Sequence, residues 1–433
     1  MPGDDHLSDN PLRYRDFRLY LIGRLTNGFA QNAMILVIGW QVYNLARMTM
    51  GTKAAAAQLG LVGLAQFLPL FLLTPISGWA ADRFDRRRIV QTTTMLLLMS
   101  VGTLGFFTYE QRITLPIIFG VSVFLGIARA FSGPALSALA PNLVPPVALP
   151  RAIAISSIAW QSAVIIGPAI GGYAYAAAAW GAYAGASVLF LLGIIAFSFI
   201  GQRPQQMHDT SRHPIRQMID GLAYVKQNRL IQATITLDLF AVLLAGATAM
   251  LPIYARDILH VGPMGLGHLA AAPAIGGGIV ALWFSFRPMR SNVGVKMLIS
   301  VVIFGLATMT FGATAFLPRS LAMPVAMGAM AVWGSADMFS VFIRQTLVQV
   351  YTPDAMRGRV SSVSQLSISA SNELGEAESG FLAALIGPVA AVILGGAGAI
   401  IVTLIWSKLY PELRLARTFD PPEPRAADGP KER

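Results

Sequence analysis

Long apolar stretches separated by short polar ones dominate the chain. Twelve of them stand out, at about 17–45, 57–80, 88–108, 113–140, 152–176, 180–200, 229–254, 264–285, 295–316, 321–350, 360–385 and 387–408. Each is close to the roughly 20 residues that carry a helix across a bilayer. Glycine and proline recur inside them, as at Leu68-Pro69-Leu70 and Gly276-Gly277-Gly278, a composition that suits packed membrane helices better than soluble ones. The pattern therefore predicts an all-α membrane protein of twelve transmembrane helices. The longest polar interior stretch, 201–228, places Ile215, Met218, Leu222 and Val225 at steps of three and four. That spacing predicts a short amphipathic helix on the inner membrane surface. It divides the chain into a six-helix bundle over 1–200, a linker over 201–228, a second bundle over 229–410 and a tail over 411–433. The stretch before the first run holds Asp4, Asp5 and Asp9, so no cleavable signal is expected there.

The two halves resemble each other. At an offset of 208, Arg151, Ser156, Gly167 and Gly172 correspond to Arg359, Ser364, Gly375 and Gly380. At an offset of 211, Phe29, Ala30 and Tyr43 correspond to Phe240, Ala241 and Tyr254. Such parallel repeats predict a pseudo-symmetric pair of bundles with a substrate site between them, near the midplane.

Composition agrees, and charge adds an orientation. Of 433 residues 55% are hydrophobic and only 12% charged, about half the usual share for a soluble domain. The net charge of +11 would suggest nucleic acid in a soluble protein. Here 24 of the 32 Lys and Arg fall in the termini and the connections on their side, five on the opposite side, and Arg24, Arg129 and Arg344 inside spans. By the positive-inside rule both termini are cytoplasmic, and the basic residues meet anionic lipid rather than nucleic acid. The absence of cysteine excludes disulfides and thiolate chemistry. No P-loop, GxSxG or HExxH pattern occurs, which argues against an ATP-driven pump or a membrane hydrolase. His260 and His268 lack further ligand partners in the sequence and are expected at the surface, with no metal site.

Between the second and third runs lies Gly78-Trp79-Ala80-Ala81-Asp82-Arg83-Phe84-Asp85-Arg86-Arg87-Arg88. It resembles the loop signature of the major facilitator superfamily at Gly78, Asp82, Arg83, Arg86 and Arg87, and departs from it at Asp85, where the pattern has glycine. The resemblance implies a gating loop that latches the cytoplasmic side of the two halves. Gly167-Pro168-Ala169-Ile170-Gly171-Gly172 is similar to the end of the superfamily's exporter motif and reads equally as a helix-packing face around Gly167, Pro168, Gly171 and Gly172. Arg129, followed by Phe131, Pro134 and Pro141, resembles the family's intramembrane arginine motif, with Arg344 as its counterpart. The segments 237–241, 251–257 and 372–380 look like a branch called transmembrane secretion effectors, which includes enterobactin-type siderophore exporters. Many multidrug members carry an acidic residue in span one; this chain has Arg24, Asn27, Gln31 and Asn32 there.

All intramembrane carboxylate candidates fall in the second half: Asp238, Asp337, Glu373, Glu376 and Glu378. A carboxyl is costly to keep ionised away from water, so these are proton-coupling candidates, Asp238 and Glu376 first. Structural ion pairing is the competing reading. Asn27, Phe29, Gln31, Trp40, Gln41, Phe240 and Trp333 are candidates for the substrate cavity. The expectation is a monomeric secondary transporter of the bacterial inner membrane, without enzymatic activity or cofactor. It would export a small organic molecule against protons by alternating access. An importer or uniporter on the same fold is the nearest alternative, and a non-transporting membrane sensor the next.

Overall fold

The computed structural model describes residues 9–201, 214–287, 289 and 291–419. Six helices form the first half: α1 (Arg15–Thr49), α2 (Thr52–Arg83), α3 (Arg86–Tyr109), α4 (Leu115–Leu139), α5 (Leu149–Ala177) and α6 (Ala179–Ser198). The linker contributes α7 (Pro214–Gln227). The second half holds α8 (Arg229–Leu244), α9 (Leu251–Ile253), α10 (Gly262–Phe286), α11 (Val293–Ala313), α12 (Arg319–Val350), α13 (Asp354–Ile386) and α14 (Pro388–Leu409), with a short α15 (Pro411–Leu415) in the tail. Among the described residues there is no strand.

Ten of these segments are long and apolar enough to cross a membrane on composition alone. The spans expected at 17–45 and 360–385, now α1 and α13, fall short only because they carry the polar residues of the interior. Both pack among the other ten: α1 against α5 and α6, α13 against α2 and α8. The protein therefore has twelve transmembrane helices in two six-helix bundles. Large apolar side chains such as Leu72, Phe106, Ile279, Leu385 and Leu404 are exposed on the outside, as expected where the solvent is hydrocarbon.

The seventh span departs from the expected continuous helix over 229–254. It stops at Leu244, turns through Ala245 and Gly246, and continues as a 3-10 turn, α9 and a π-helical turn at Tyr254–Ile258. Two local causes are visible. Pro252 supplies no N–H to the preceding turn. Gly246 lies so close to α13 that a Cβ there would meet the Gly375 carbonyl oxygen at 2.6 Å. The linker helix packs one face on the bundle. Val225 is 4% exposed and packs with Ile231, Val348 and Val360, whereas Leu222 is exposed. Thus α7 lies on α8, α12 and α13 through Met218, Gly221 and Val225; the Ile215 side chain is outside the described residues. In the tail, Leu413 is fully buried and the Gly294 amide donates to the Ala416 carbonyl at 3.0 Å, so 411–416 folds back onto the start of α11.

The internal repeat is visible as geometry. Helices α2 and α13 form one seam between the halves, and α5 and α10 form its pseudo-symmetric counterpart. Gly60 meets Gly380 in the first and Gly172 meets Gly267 in the second, with a built Cβ on Gly380 2.7 Å from the Gly60 Cα and one on Gly172 3.2 Å from the Gly267 Cα. At the end that carries the termini, the ion pair Arg151–Asp9 at 2.6 Å is repeated as Arg359–Asp220 at 3.4 Å. A side chain in the first seam should force it open. Gly380→Leu is expected to raise maleimide labelling of an Ala56→Cys reporter severalfold in this cysteine-free chain, since Ala56 is fully buried beside Gly380. Unchanged labelling would show that the glycines do not hold the halves together.

Candidate functional site

Midway along α4 and α13 one charged group of the first half reaches the second. Arg129 on α4 donates through Nη2 to Glu373 Oε1 on α13 at 2.9 Å, and through Nη1 to Gln66 Oε1 on α2 at 3.3 Å. Glu376 lies one turn further along α13, facing Gly63 of α2, where a Cβ would sit 3.8 Å from Glu376 Oε2. The three-residue spacing thus puts both glutamates on the face that meets the other half. Glu378 points elsewhere: its Oε2 is buried without a hydrogen-bond partner.

A second cluster lies within the second half. Arg344 on α12 is 1% exposed and Asp238 on α8 is 5% exposed, with Nη1 and Oδ2 3.0 Å apart. The two groups form a close ion pair, although Nη1 is not aligned for a hydrogen bond and Nε also lacks one. Asp337 lies seven residues before Arg344 on α12, yet the ion pair is made with Asp238 from across the bundle. Asp337 lines a small cleft together with Asp238, Ser340 and Phe304. At the position equivalent to Asp238 the first half has Asn27, whose Nδ2 donates to Thr94 Oγ1 at 2.9 Å. One half fills this site with a neutral hydrogen bond and the other with an ion pair.

Arg24 ties α1 to α5. Its Nε donates to the Ser156 carbonyl at 3.1 Å, its Nη1 to the Tyr20 hydroxyl at 3.2 Å, and its guanidinium lies 5.8 Å from the Trp160 ring centroid. Several cavity candidates are corrected. Asn27, Trp40 and Gln41 are 1%, 6% and 3% exposed, because α1 turns them into its packing with α3, α6 and the core. Gln41 donates to Thr108 Oγ1 at 2.9 Å and accepts from the Tyr183 hydroxyl. Phe240 is 38% exposed and stacks on Trp406 of α14 with ring centroids 5.3 Å apart, away from α12. Trp333 packs on Phe304 at 4.7 Å and so stands behind the small cleft. Phe29 and Gln31 are half-buried on α1.

Two arginines of the gating loop bond helix-end carbonyls of their own half. Arg86 donates to the Ala138 carbonyl at 2.9 Å and Arg87 to the Ile200 carbonyl. Gly78 has open space at its Cβ position, Arg83 is exposed, and the Asp82 side chain is outside the described residues. Asp85, where the superfamily pattern has glycine, sits at φ −54° and caps α3 by accepting from the Arg87 amide at 2.9 Å. That conformation needs no glycine. In the 167–172 motif, built Cβ atoms on Gly167 and Gly171 would crowd Asn32 and Ala33 of α1, while Gly172 meets α10 and the Gly267 Cβ position lies 3.0 Å from the Pro168 carbonyl oxygen. The motif packs two helices at once.

Sequence reasoning missed a cross-half group at the end away from the termini. Asp257, in the π-helical turn, accepts from the Tyr43 hydroxyl at 2.6 Å and from Arg47 Nε at 2.8 Å, and Arg256 donates to the Asn44 carbonyl at 3.2 Å. Nearby, the Tyr173 hydroxyl and His268 Nε2 are 2.9 Å apart across α5 and α10, and Lys53 donates to the Leu385 carbonyl at 2.9 Å. Asp257 could have been noticed: it and Glu110 are the acidic residues in the far-end connections, which hold few bases. Gln66 and Ser340 carry no such signal.

The sequence profile of the Major Facilitator Superfamily matches residues 20–376. An enterobactin exporter of Citrobacter koseri is 27% identical over 391 residues, covering 88% of each chain. One from Escherichia coli O157:H7 is 26% identical over 88% of this chain and 89% of its own. Among solved structures, a D-xylose–proton symporter superposes with a TM-score of 0.71 at 13% identity, covering 92% of this chain and 98% of its own. A bacterial homologue of the iron transporter ferroportin, in an inward-facing state, gives 0.67 at 16% over 91% and 98%. With that profile spanning most of its length and the twelve helices arranged as two repeated bundles, the chain belongs to the major facilitator superfamily of membrane transporters.

Proposed function

We propose that this transporter exports a small, partly apolar organic molecule of the siderophore class across a bacterial inner membrane in exchange for protons, by alternating access. The observation that carries the reading is the Arg129–Glu373 pair. It joins the halves midway along α4 and α13, with Glu376 beside it. Rocking the halves apart there must break this pair, and a proton arriving on a carboxylate is the natural way to weaken it. Asp238, Asp337 and Glu378 are the further coupling candidates. The cross-half contacts at the far end, from Tyr43 and Arg47 to Asp257, from Lys53 to Leu385 and between Tyr173 and His268, support a state closed at that end. The excess of Lys and Arg near the termini supports placing both in the cytoplasm. Similarity to enterobactin exporters supports the cargo class. The chain would work as a monomer, with lipid, cargo and protons as partners, no nucleic acid, and the proton gradient in place of a cofactor.

The test is transport of enterobactin by the full chain in proteoliposomes with an imposed pH gradient. Accumulation on the acidic side is expected, with Asp238→Asn and Glu376→Gln each lowering it more than about tenfold. Flux that ignores the gradient and both substitutions would overturn proton antiport. Accumulation on the alkaline side would instead indicate a symporting importer on the same fold.

A further inference from the structure

The cleft between α8, α11 and α12 has features that proton carriage alone does not require. Asp238 and Asp337 both line it, from different helices, with room for a single water-sized occupant. Ser340 lines it too: it is 4% exposed and its Oγ is buried without a hydrogen-bond partner. A hydroxyl in that position loses its hydration and gains nothing unless something occupies the cleft. The walls opposite are Val301 and Phe304, which offer no donor. The charged groups lining the cleft are the two aspartates, and Arg344 pairs with Asp238 beside it. With Arg344 held by Asp238 at 3.0 Å, an ionised Asp337 would leave a single uncompensated negative charge there, which one monovalent cation would balance. The helix break adds to it. Helix α8 ends at Leu244, and its last turn, with Ala241 and Val242, forms part of the wall. The C-terminal end of a helix carries a partial negative charge, and interrupted membrane helices are where cations are held in other transporters.

We propose that this cleft binds one sodium ion, held by carboxylate oxygens of Asp238 and Asp337 and by the Ser340 hydroxyl, and that Arg344 limits the site to a single positive charge. The inference rests on the chain being an ion-coupled transporter; it names a different ion, at a site apart from the Arg129–Glu373–Glu376 cluster that shares only Asp238 and Asp337 with the proton-coupling candidates. Binding would be felt at the seam. The break after α8 packs on Gly375 and Ser379 of α13, where a Cβ on Gly246 would lie 2.6 Å from the Gly375 carbonyl oxygen and 2.8 Å from Ser379 Oγ. The glutamates of the other cluster lie on the same helix.

The test is binding of radioactive sodium to the purified full chain, with choline and potassium chloride as controls at equal ionic strength. Saturable binding of one sodium per chain is expected, displaced by unlabelled NaCl and not by the controls. Ser340→Ala should weaken it about five- to tenfold, the effect of one lost oxygen ligand. Asp337→Asn should abolish it. Ser340→Ala is a small change and keeps the question answerable if Asp337→Asn misfolds. Absence of saturable sodium binding, equal displacement by potassium or choline, or unchanged affinity in Ser340→Ala overturns the proposal. The failures remain distinguishable. Gradient-driven enterobactin flux without sodium binding removes the sodium site and leaves proton coupling standing; sodium binding without pH-driven flux does the reverse.

Discussion

Arg344→Ala is expected to remove most of the folded protein from the membrane. Asp238 and Arg344 are 5% and 1% exposed and 3.0 Å apart, so the substitution leaves a buried carboxylate without its guanidinium partner. Breaking a buried pair from one side costs about 3–5 kcal/mol, a large part of the 5–15 kcal/mol that holds a typical domain together. The lost packing of one of the largest fully buried side chains among the described residues adds to this. The check is the yield of monodisperse protein in detergent and its melting temperature, both of which should fall sharply. Asp238→Asn combined with Arg344→Met removes both charges, and exchanging a buried pair for groups of similar volume is often neutral. The double variant should therefore recover most of the yield while remaining unable to bind a cation in the neighbouring cleft. A single Arg344→Ala variant as abundant as the wild type would show that Asp238 is not charged, or not buried, in the folded protein.

This pair also shows where the sequence could be read and where it could not. Span count and the six-plus-six division followed from apolar runs, because a bilayer demands the same length of every crossing helix. The repeat was visible in glycines and arginines spaced by 208, because those residues meet the same structural need in each half. Which carboxylate faces which arginine was not visible. Asp337 stands two turns from Arg344 on the same helix, yet the partner came from α8, since pairing across a bundle depends on helix rotation and crossing that no local pattern records. Polar residues on α1 were misjudged for the same reason. Asn27 and Gln41 looked like cavity groups, but Asn27 Nδ2 donates to Thr94 and Gln41 bonds Thr108 and Tyr183 on neighbouring helices, with Asn27 Oδ1 alone left buried without a partner. The broken seventh span was missed because Gly246 reads as an ordinary membrane glycine until Gly375 is seen against it. Asp85, a departure from the superfamily pattern, is explained by a side-chain cap that the loop geometry allows.

Glu373→Gln is expected to shift the protein away from the state closed at the far end. Arg129 and Glu373 are 2.9 Å apart, and their side chains are 29% and 12% exposed, so the pair is partly screened and worth less than the Asp238–Arg344 pair. A charge-assisted hydrogen bond of this kind contributes about 1.5–3 kcal/mol. Because it joins the two halves, that energy belongs to one conformation and not to the other. Losing it should move a two-state equilibrium by roughly ten- to a hundredfold without a comparable loss of folding stability. Arg129→Gln should act in the same direction, while Gln66→Ala, which removes the weaker contact at 3.3 Å, should do much less. The buried Ala56→Cys reporter reads this shift directly, with higher labelling in both charge variants. The swap Arg129→Glu with Glu373→Arg restores a pair of opposite charges at the same seam and should return labelling towards the wild-type value. It should not restore transport if the native glutamate also carries the proton. Equal labelling in the wild type and all four variants would mean that the pair is only a packing contact, leaving the Asp257 latch and the glycine seams to hold the far end closed.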